Sequence, residues 1–434
     1  MSPQTRPGIP TTLKIWLQEL VRSIPARSTG TLLELLFGTL LSERGLISQA
    51  VLMIAPRRGW QAYYWLVERA RLPWIALVRA LCGIVEREFP ERRRCLIVDD
   101  VLILRTSATA PDAAVRFDHV QRANRPRHVL CQMFVWLAAA ITDHTGRTRA
   151  VPLLAFPVKA AGHPGKLVLA KALLGTVLAQ FHTPLVLLVD AWYMRRRLVL
   201  WAVQRGLTVI GQIRRDSALF RPPDPPPPGR RGRPRKYGAR ITAADLATVP
   251  LTEKETAAYG GRVLRWRGMT CRPRFLRGLE SRVVWVAMRR QEGWAKERLL
   301  LSTDPTLDDE AIILEYARRW AVEPMLRDLK WTEGLREMWM QGRKTLLRWL
   351  HIVQAAAALA VLLAARADPE LDALARIGGW RRETRPSTPG LVKKALAGAF
   401  VHFAPLPLLG AGARSAPKSR RTTATGPPPI PVAA

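Results

Sequence analysis

The sequence predicts an α/β protein in which a helical N-terminal domain precedes a core of alternating strands and helices. Apolar residues recur at three and four positions from about Thr11 to Glu88, which is typical of helices. Beyond residue 95, apolar runs typical of strands and of helices follow one another. Short β-like runs within residues 214–305 add a β-rich insertion to this core.

The composition indicates a folded protein with a polyanionic partner. Sixty-eight Lys and Arg stand against 34 Asp and Glu, a net charge of +34, while 48% of the residues are hydrophobic. The apolar content excludes a wholly disordered basic protein, and the charge favours nucleic acid over a small neutral substrate. The most apolar stretch, residues 352–365, is shorter than the roughly 20 residues of a spanning helix. We therefore expect a buried helix and no membrane partner.

The N-terminal residues and the cysteines both favour an intracellular protein. Residues 1–16 contain no apolar signal core, so we expect a cytoplasmic, nucleoid-associated protein. The four cysteines lie far apart and form no metal-binding pattern. We expect them to be reduced and mostly buried.

The core elements can be read in order along the chain. Strand-like runs at 95–105, 129–141 and 149–158 predict an antiparallel meander. A helix over 165–181, a strand over 184–190, a helix over 194–206 and a strand over 207–213 follow. This alternation predicts parallel pairing around the strand that ends at Asp190.

The second half of the chain contains the insertion and a long helix. Residues 214–240 are proline-rich and basic and predict a loop, and β-like runs follow at 261–271, 281–290 and 298–303. A long helix is predicted from the Asp-rich segment 306–311 through residue 331. We therefore divide the chain into a helical N-terminal domain with a possible role in binding DNA ends (1–90), the first part of the core (91–213), the insertion (214–305), the last part of the core (306–365), a C-terminal helical segment (366–413) and a disordered basic tail (414–434).

Acidic residues at two strands are the first candidates for chemistry. Asp99 and Asp100 lie within an apolar strand, where alternation directs one to each face of the sheet. An Asp pair on an exposed edge explains them equally well. Asp190 ends a buried strand, where open α/β sheets bring ligands, although an Asp there can also cap the following helix.

The third candidate, Glu323, lies on the predicted long helix. At 100° per residue six side chains share one face, opposite an apolar face: Tyr316, Arg319, Trp320, Glu323, Arg327 and Lys330. Pairing of Glu323 with an arginine four residues away is the simple explanation. One acid among cations is also typical of a face that binds phosphate and metal. Pro324 predicts a kink just after Glu323.

These residues resemble a signature of the bacterial insertion-sequence DDE transposases. The family's signature is a Tyr, then two residues and an Arg, then three residues and a Glu, then six residues and a Lys. This spacing is matched by Tyr316, Arg319, Glu323 and Lys330. Residues 185–220 are similar to the segment that carries the family's second carboxylate, and 96–105 resembles its first Asp-bearing strand. The resemblance covers residues 94–342 and is loosest at the first strand, where Val101 replaces a small polar residue.

The resemblance implies an RNase H-like core and a metal-dependent reaction. It assigns catalysis and metal binding to Asp100, Asp190 and Glu323, with Asp99 as the alternative first carboxylate. Asp100 is preferred because relatives place an acidic or apolar residue before the catalytic one. Two Mg²⁺ ions, for which Mn²⁺ can substitute, would support an in-line phosphoryl displacement. The residues expected to contact DNA near the cut are Tyr316, Arg319, Trp320, Arg327 and Lys330.

A separate basic motif lies in the predicted loop. Arg231-Gly232-Arg233-Pro234 resembles the minor-groove AT-hook, and Arg235 and Lys236 extend it. The alternative is a basic loop that contacts phosphates without sequence preference. We favour the alternative, because short basic motifs recur by chance in Arg-rich chains.

The resemblance implies a DNA transposase that binds the terminal inverted repeats of an insertion sequence, cleaves them and joins them to target DNA. Its expected partners are double-stranded DNA and a second copy of the chain, as a homodimer on DNA. The alternative is a catalytically inactive or domesticated DNA-binding protein derived from a transposase. A stand-alone RNase H-like nuclease is disfavoured, because in this family Tyr316, Arg319 and Lys330 would grip an element end.

Overall fold

The computed structural model describes residues 9–118, 126–160, 165–227, 232–291, 293–377 and 387–409. The helices are α1 Thr11–Arg22, α2 Ala26–Leu41, α3 Ile47–Leu52, α4 Trp60–Glu68, α5 Trp74–Glu88, α6 Lys166–Val177, α7 Arg196–Val203, α8 Ala243–Ala247, α9 Asp309–Ala317, α10 Val322–Trp331, α11 Arg343–Ala365, α12 Pro369–Ile377 and α13 Pro389–Phe400. The strands are β1 Arg94–Leu104, β2 Ala114–Phe117, β3 His128–Thr142, β4 Thr148–Pro157, β5 Leu185–Val189, β6 Thr208–Ile213, β7 Leu219–Phe220, β8 Thr252–Glu255, β9 Val263–Pro273, β10 Ser281–Arg290, β11 Gly293–Trp294 and β12 Arg298–Ser302.

The central sheet runs in the order β4-β3-β1-β5-β6. Strands β4, β3 and β1 are antiparallel neighbours, whereas β5 is parallel to both β1 and β6. The predicted meander and the predicted parallel pairing are therefore confirmed, with the short strand β2 added between the first two runs. This order is that of an RNase H-like core, and the predicted fold class is confirmed.

The insertion extends the same sheet. Strand β12 pairs with β6, and β10 and β9 follow in antiparallel order. These strands confirm the β-like runs predicted in this region, and the short helix α8 was not predicted. The described part of residues 214–240 is irregular apart from β7 and a bridge between Phe220 and Arg240.

The apolar helix α11 lies in the core of the protein. It packs against β4 and α2, and its residues from Trp349 to Ala365 are buried. Among the described helices it is the one long and apolar enough to cross a membrane, but 89% of its most apolar window is buried inside the protein. The prediction of a buried helix is confirmed, although the helix begins at Arg343, before the apolar stretch.

The predicted long helix that carries Glu323 is divided in the structure. Helix α9 ends at Ala317, and a 3₁₀ turn over Arg318–Ala321 separates it from α10. Pro324 thus occupies the first turn of α10, where a missing N–H removes no helix hydrogen bond. The prediction of one continuous α-helix is wrong, and the kink predicted after Glu323 stays a prediction. The angular projection from Tyr316 does not hold across this break.

All four cysteines are free and buried, as predicted. Burial raises the pKa of Cys82 and of Cys271 to about 12, so these thiols stay protonated at neutral pH. Their role is to fill the core, as is common for buried cysteines.

A buried histidine in α11 packs between two aromatic rings. The His351 ring stacks on Trp74 at 5.1 Å between centroids and meets Phe156 edge-on at 5.7 Å. Burial lowers the pKa of His351 to about 4. His351 is therefore neutral in the folded protein at pH 7, and its protonation is penalised.

We expect the His351→Phe variant to lose part of the acid sensitivity of the wild-type protein. Between pH 6.5 and 4 the unfolded chain binds the His351 proton and the folded chain does not, so stability falls as the pH falls. At pH 5 the deficit is about 2 kcal/mol. Thermal unfolding of both proteins from pH 7.5 to 5 measures it. Parallel curves would contradict this assignment, since Phe cannot titrate.

Candidate active site

The two strand-borne acids meet at neighbouring strands. In the β1–β5 pair, Val98 lies opposite Val189, so the next residues along the two parallel strands, Asp99 and Asp190, are also neighbours. Residues paired in register point to the same face of a sheet, and adjacent strands are about 4.8 Å apart. The sheet therefore brings Asp99, rather than Asp100, beside Asp190.

The third acid joins this pair through an arginine. Arg319, in the 3₁₀ turn before α10, donates from Nη1 to Asp99 Oδ2 at 3.0 Å. Its Nη2 lies 3.5 Å from Oε1 of Glu323 on the first turn of α10. The turn that interrupts the predicted helix thus places one guanidinium between two carboxylates from distant parts of the chain.

The ionised form of Asp99 requires a positive charge nearby. Burial raises the pKa of Asp99 to about 6, and the charges of Asp190 and Asp100 add to the rise. Arg319 and the backbone N–H of Asp100, which donates to Asp99 Oδ1 at 2.8 Å, oppose it. A buried carboxylate next to other carboxylates is stable only with a cation close by. In this structure Arg319 supplies that cation.

Asp100 lies on the opposite face of β1. Its Oδ1 accepts hydrogen bonds from Lys166 Nζ and from the Tyr193 hydroxyl, both at 2.9 Å. Lys166 begins α6, and its Nζ lies 3.6 Å from the centre of the Trp192 ring. The alternation predicted for the Asp pair is therefore observed, and it separates Asp100 from Arg319 and Glu323.

The turn after β5 links the two faces. Asp190 Oδ1 accepts the backbone N–H groups of Trp192 at 2.9 Å and of Tyr193 at 3.0 Å. Tyr193 is buried, and its hydroxyl donates to Asp100. Asp190 thus orders the turn that follows it, as a capping residue does. Asp100 holds the far end of the same turn in place.

The other candidate side chains near Glu323 differ in their exposure. Tyr316 is 5% exposed, and its ring lies 5.8 Å from the Arg319 guanidinium. Trp320 is 55% exposed, Arg327 is also exposed and Lys330 is half-buried. Tyr316 therefore lies on the same side as Arg319, next to the site, but it is buried beneath Arg319 rather than exposed like Trp320 and Arg327.

The basic loop contributes an exposed cationic segment. Arg233, Arg235 and Lys236 are all exposed, whereas Arg231 lies outside the described residues. Exposed cations of this kind can contact phosphates. Nothing in this geometry favours a minor-groove contact over a backbone contact.

The donor chemistry of the site suits a divalent cation. Asp99, Asp190 and Glu323 offer the hard carboxylate oxygens that Mg²⁺ prefers. Within the described ranges no three acidic, His or Cys side chains are grouped closely enough to hold a metal ion. The Arg319 guanidinium instead lies between Asp99 and Glu323. The fit to a divalent cation is therefore one of donor chemistry, and in this structure the guanidinium neutralises Asp99 and Glu323.

Four residues of the site were missed by the sequence reasoning. Trp192 and Tyr193 follow Asp190 directly, and an aromatic pair after a strand-ending Asp was a signal available in the sequence. Lys166 lies 66 residues from its partner Asp100, and no local pattern connects the two. Tyr259, from the insertion, lies near Arg319 and Tyr316 and has a φ of 52°, a strained value for a non-glycine residue.

One comparison with known proteins, that with a family model, identifies the family. The solved structure of a piggyBac transposase synaptic complex with hairpin DNA is similar to the chain, with a TM-score of 0.41, 11% sequence identity and coverage of 94% of this chain and 85% of that chain. No curated protein matches the chain. A family model described as DDE superfamily endonuclease matches residues 19–273, which include Asp99, Asp100 and Asp190 and end before Glu323. The chain therefore belongs to the DDE superfamily endonucleases.

Proposed function

We propose that the chain is a DNA transposase that binds the terminal inverted repeats of an insertion sequence, cleaves them and joins them to target DNA. The observation that carries the proposal is the convergence of Asp99 and Asp190 on neighbouring strands with Glu323, joined by Arg319. In this proposal Glu323 and the two acids at the strands form one site. Membership of the DDE superfamily endonucleases supports DNA cleavage as the reaction.

Asp99 takes the role of first carboxylate in this proposal, in place of Asp100. Asp99 shares a face with Asp190 and contacts Arg319, whereas Asp100 is held by Lys166 and Tyr193 on the other face. Asp100 is then a positioning residue, because Tyr193 connects it to the turn that carries Asp190.

Two Mg²⁺ ions, or Mn²⁺ in their place, are the proposed cofactors, held by Asp99, Asp190 and Glu323. When bound, such ions activate the attacking oxygen and stabilise the leaving oxygen of a phosphoryl displacement. The half-buried Asp99 needs a neighbouring cation for its negative charge, and Arg319 provides it in the structure described here. Arg319 is then free to bind a DNA phosphate once the carboxylates have other counter-ions, which suits its bidentate geometry.

The cationic surface would position the DNA. Lys330 and Arg327 lie on the α10 helix that carries Glu323, and Trp320 is exposed beside them. Arg233, Arg235 and Lys236 would add phosphate contacts from the insertion. We propose a homodimer on DNA, acting in the cytoplasm on nucleoid DNA, because two element ends must be joined in one event.

Incubation of the purified protein with Mg²⁺ and DNA that carries the ends of its source element tests this function. We expect wild-type protein to nick these ends and the Asp190→Asn variant to bind them without nicking, since Asn cannot supply a charged ligand. Binding is measured by gel shift at rising salt, and affinity should fall steeply as the salt rises. Equal nicking by both proteins would refute the proposed site. Binding without nicking by wild type would instead favour the inactive or domesticated DNA-binding protein.

A further inference from the structure

Beyond Glu323, helix α10 leads into a groove with aromatic and cationic walls. The groove has a volume of about 730 Å³, and the C-terminal end of α10, the residues that follow it, the end of β1 and the start of β3 line it. Trp331 and Trp339, which are 65% and 56% exposed, stand in its wall. Neighbouring tryptophan side chains with such large exposed fractions are unusual on a protein surface unless they contact a partner.

A second groove continues the first toward the N-terminal helices. It has a volume of about 520 Å³, shares Trp339 with the first groove and is also lined by Tyr64 of α4 and by Arg69, which directly follows α4. The two grooves together contain four cations, Arg69, Arg105, Lys330 and Arg336, and two acids, Glu68 and Glu337. Their lining therefore carries net positive charge together with three exposed aromatic rings.

The floor between the two grooves is tightly packed and hydrogen-bonded. Gly334 has a φ of 68°, and a Cβ on it would lie 1.8 Å from the backbone nitrogen of Gly45. Trp349 Nε1 donates to the Gly45 carbonyl at 2.9 Å, and Arg105 donates to the carbonyls of Leu335 and Arg336. The aromatic walls are thus mounted on a tightly fixed junction between the N-terminal helices and the core.

One cation lies directly against an exposed ring of the groove. The Arg336 guanidinium is 4.0 Å from the centre of the Trp331 ring, a stacked cation–π arrangement. A positively charged groove with exposed aromatic rings is the arrangement in which proteins bind single-stranded nucleic acid, with phosphates against the cations and bases stacked on the rings.

We propose that this groove binds unpaired nucleotides of the DNA strand next to the cut, with a base stacked on Trp331 and a further one on Trp339. The position of this contact relative to the cut rests on the proposed function. Trp331 lies eight residues beyond Glu323 on α10, which is about 12 Å along the helix axis.

A binding experiment without metal tests the proposal. The probes are two 20-base-pair duplexes, each with a fluorescent label and a four-nucleotide single-stranded tail, one tail with thymine bases and the other abasic. Anisotropy titrations in EDTA at one salt concentration compare them. For wild-type protein we expect the abasic tail to bind at least about fivefold more weakly, since each base stacked on an aromatic ring contributes about five- to 150-fold in affinity. We expect Trp331→Ala to bind the thymine tail more weakly than wild type, losing the Trp331 share of the preference, and to bind the abasic tail as wild type does.

A matched control separates base stacking from general loss of a tryptophan. Trp294 lies 4.5 Å beneath the Arg265 guanidinium, in the insertion and outside both grooves, so Trp294→Ala should keep the wild-type preference for the thymine tail. The Trp331→Phe variant should recover part of the preference, since Phe also stacks. Equal affinity of wild-type protein for both tails would overturn the proposal, as would an equal loss for both tails in Trp331→Ala. Because the assay contains no metal, a protein that prefers the thymine tail but never cleaves DNA would refute the proposed function alone.

Discussion

The Asp99→Asn variant is expected to lose DNA cleavage almost completely, whereas Asp100→Asn is expected to keep most of it. Asn preserves the shape of the side chain and removes its charge, so the comparison isolates the carboxylate. Asp99 faces Asp190 and Arg319, and the loss expected for a metal-binding carboxylate is about 10³-fold, or about 4 kcal/mol of transition-state stabilisation. Asn at position 100 can still accept from Lys166 and Tyr193, so we expect a loss within about tenfold.

The two variants control for each other, because they differ by one position on the same strand. Cleavage rates are measured with Mg²⁺ at saturating DNA, after thermal unfolding has shown that both proteins are folded. The reverse result, an active Asp99→Asn and an inactive Asp100→Asn, would return the first carboxylate to Asp100. Tyr193→Phe adds a further test, since it breaks the link from Asp100 to the Asp190 turn and keeps the ring.

Replacement of Lys393 by Met is expected to destabilise the protein by about 3–5 kcal/mol, the cost of breaking a buried ion pair. Lys393 Nζ on α13 donates to Glu333 Oε2 at 2.6 Å, and the two residues are 1% and 3% exposed. Burial raises the pKa of Glu333, and Lys393 opposes that rise. Without Lys393 the carboxylate is left buried and uncompensated. The free energy of unfolding, from denaturant titration, measures the loss.

The double variant Lys393→Met and Glu333→Leu is the matched control. Removal of both charges is expected to restore wild-type stability or to exceed it, because well-packed apolar pairs replace buried ion pairs at little cost. In the single variant the deficit should shrink as the pH falls, since protonation neutralises Glu333 while the protein is folded. A double variant as unstable as the single one would show that the methylene packing of Lys393, rather than its charge, stabilises α13.

The order of strands and helices could be predicted from the sequence because it depends on local periodicity. Runs such as 184–190 and 207–213 are apolar and bounded by turn residues, so their type follows from pattern alone. The alternation within β1 also predicted that Asp99 and Asp100 face opposite ways. Which face holds the site depends on where α10 packs, and no local pattern contains that information.

The details of the site depend on contacts between residues far apart in the chain. Arg319 reaches Asp99 across 220 residues, and Lys393 reaches Glu333 across 60. The 3₁₀ turn before α10 could not be predicted from the sequence, because the apolar residues within 316–331 keep helical spacing on both sides of it. Pro324 was the available signal, since proline is tolerated in the first turn of a helix and so indicates a start rather than a kink.

The sheet shared by the core and the insertion has a mechanical consequence. Strand β6 is hydrogen-bonded to β5 on one side and to β12 on the other, so the ladder continues from the insertion to the strand that ends at Asp190. In the described part of the chain, hydrogen bonds connect β9, β10, β12, β6 and β5 in that order within one sheet. DNA that pulls on the insertion would therefore move β5, and Asp190 at its end, together with the strands of the insertion.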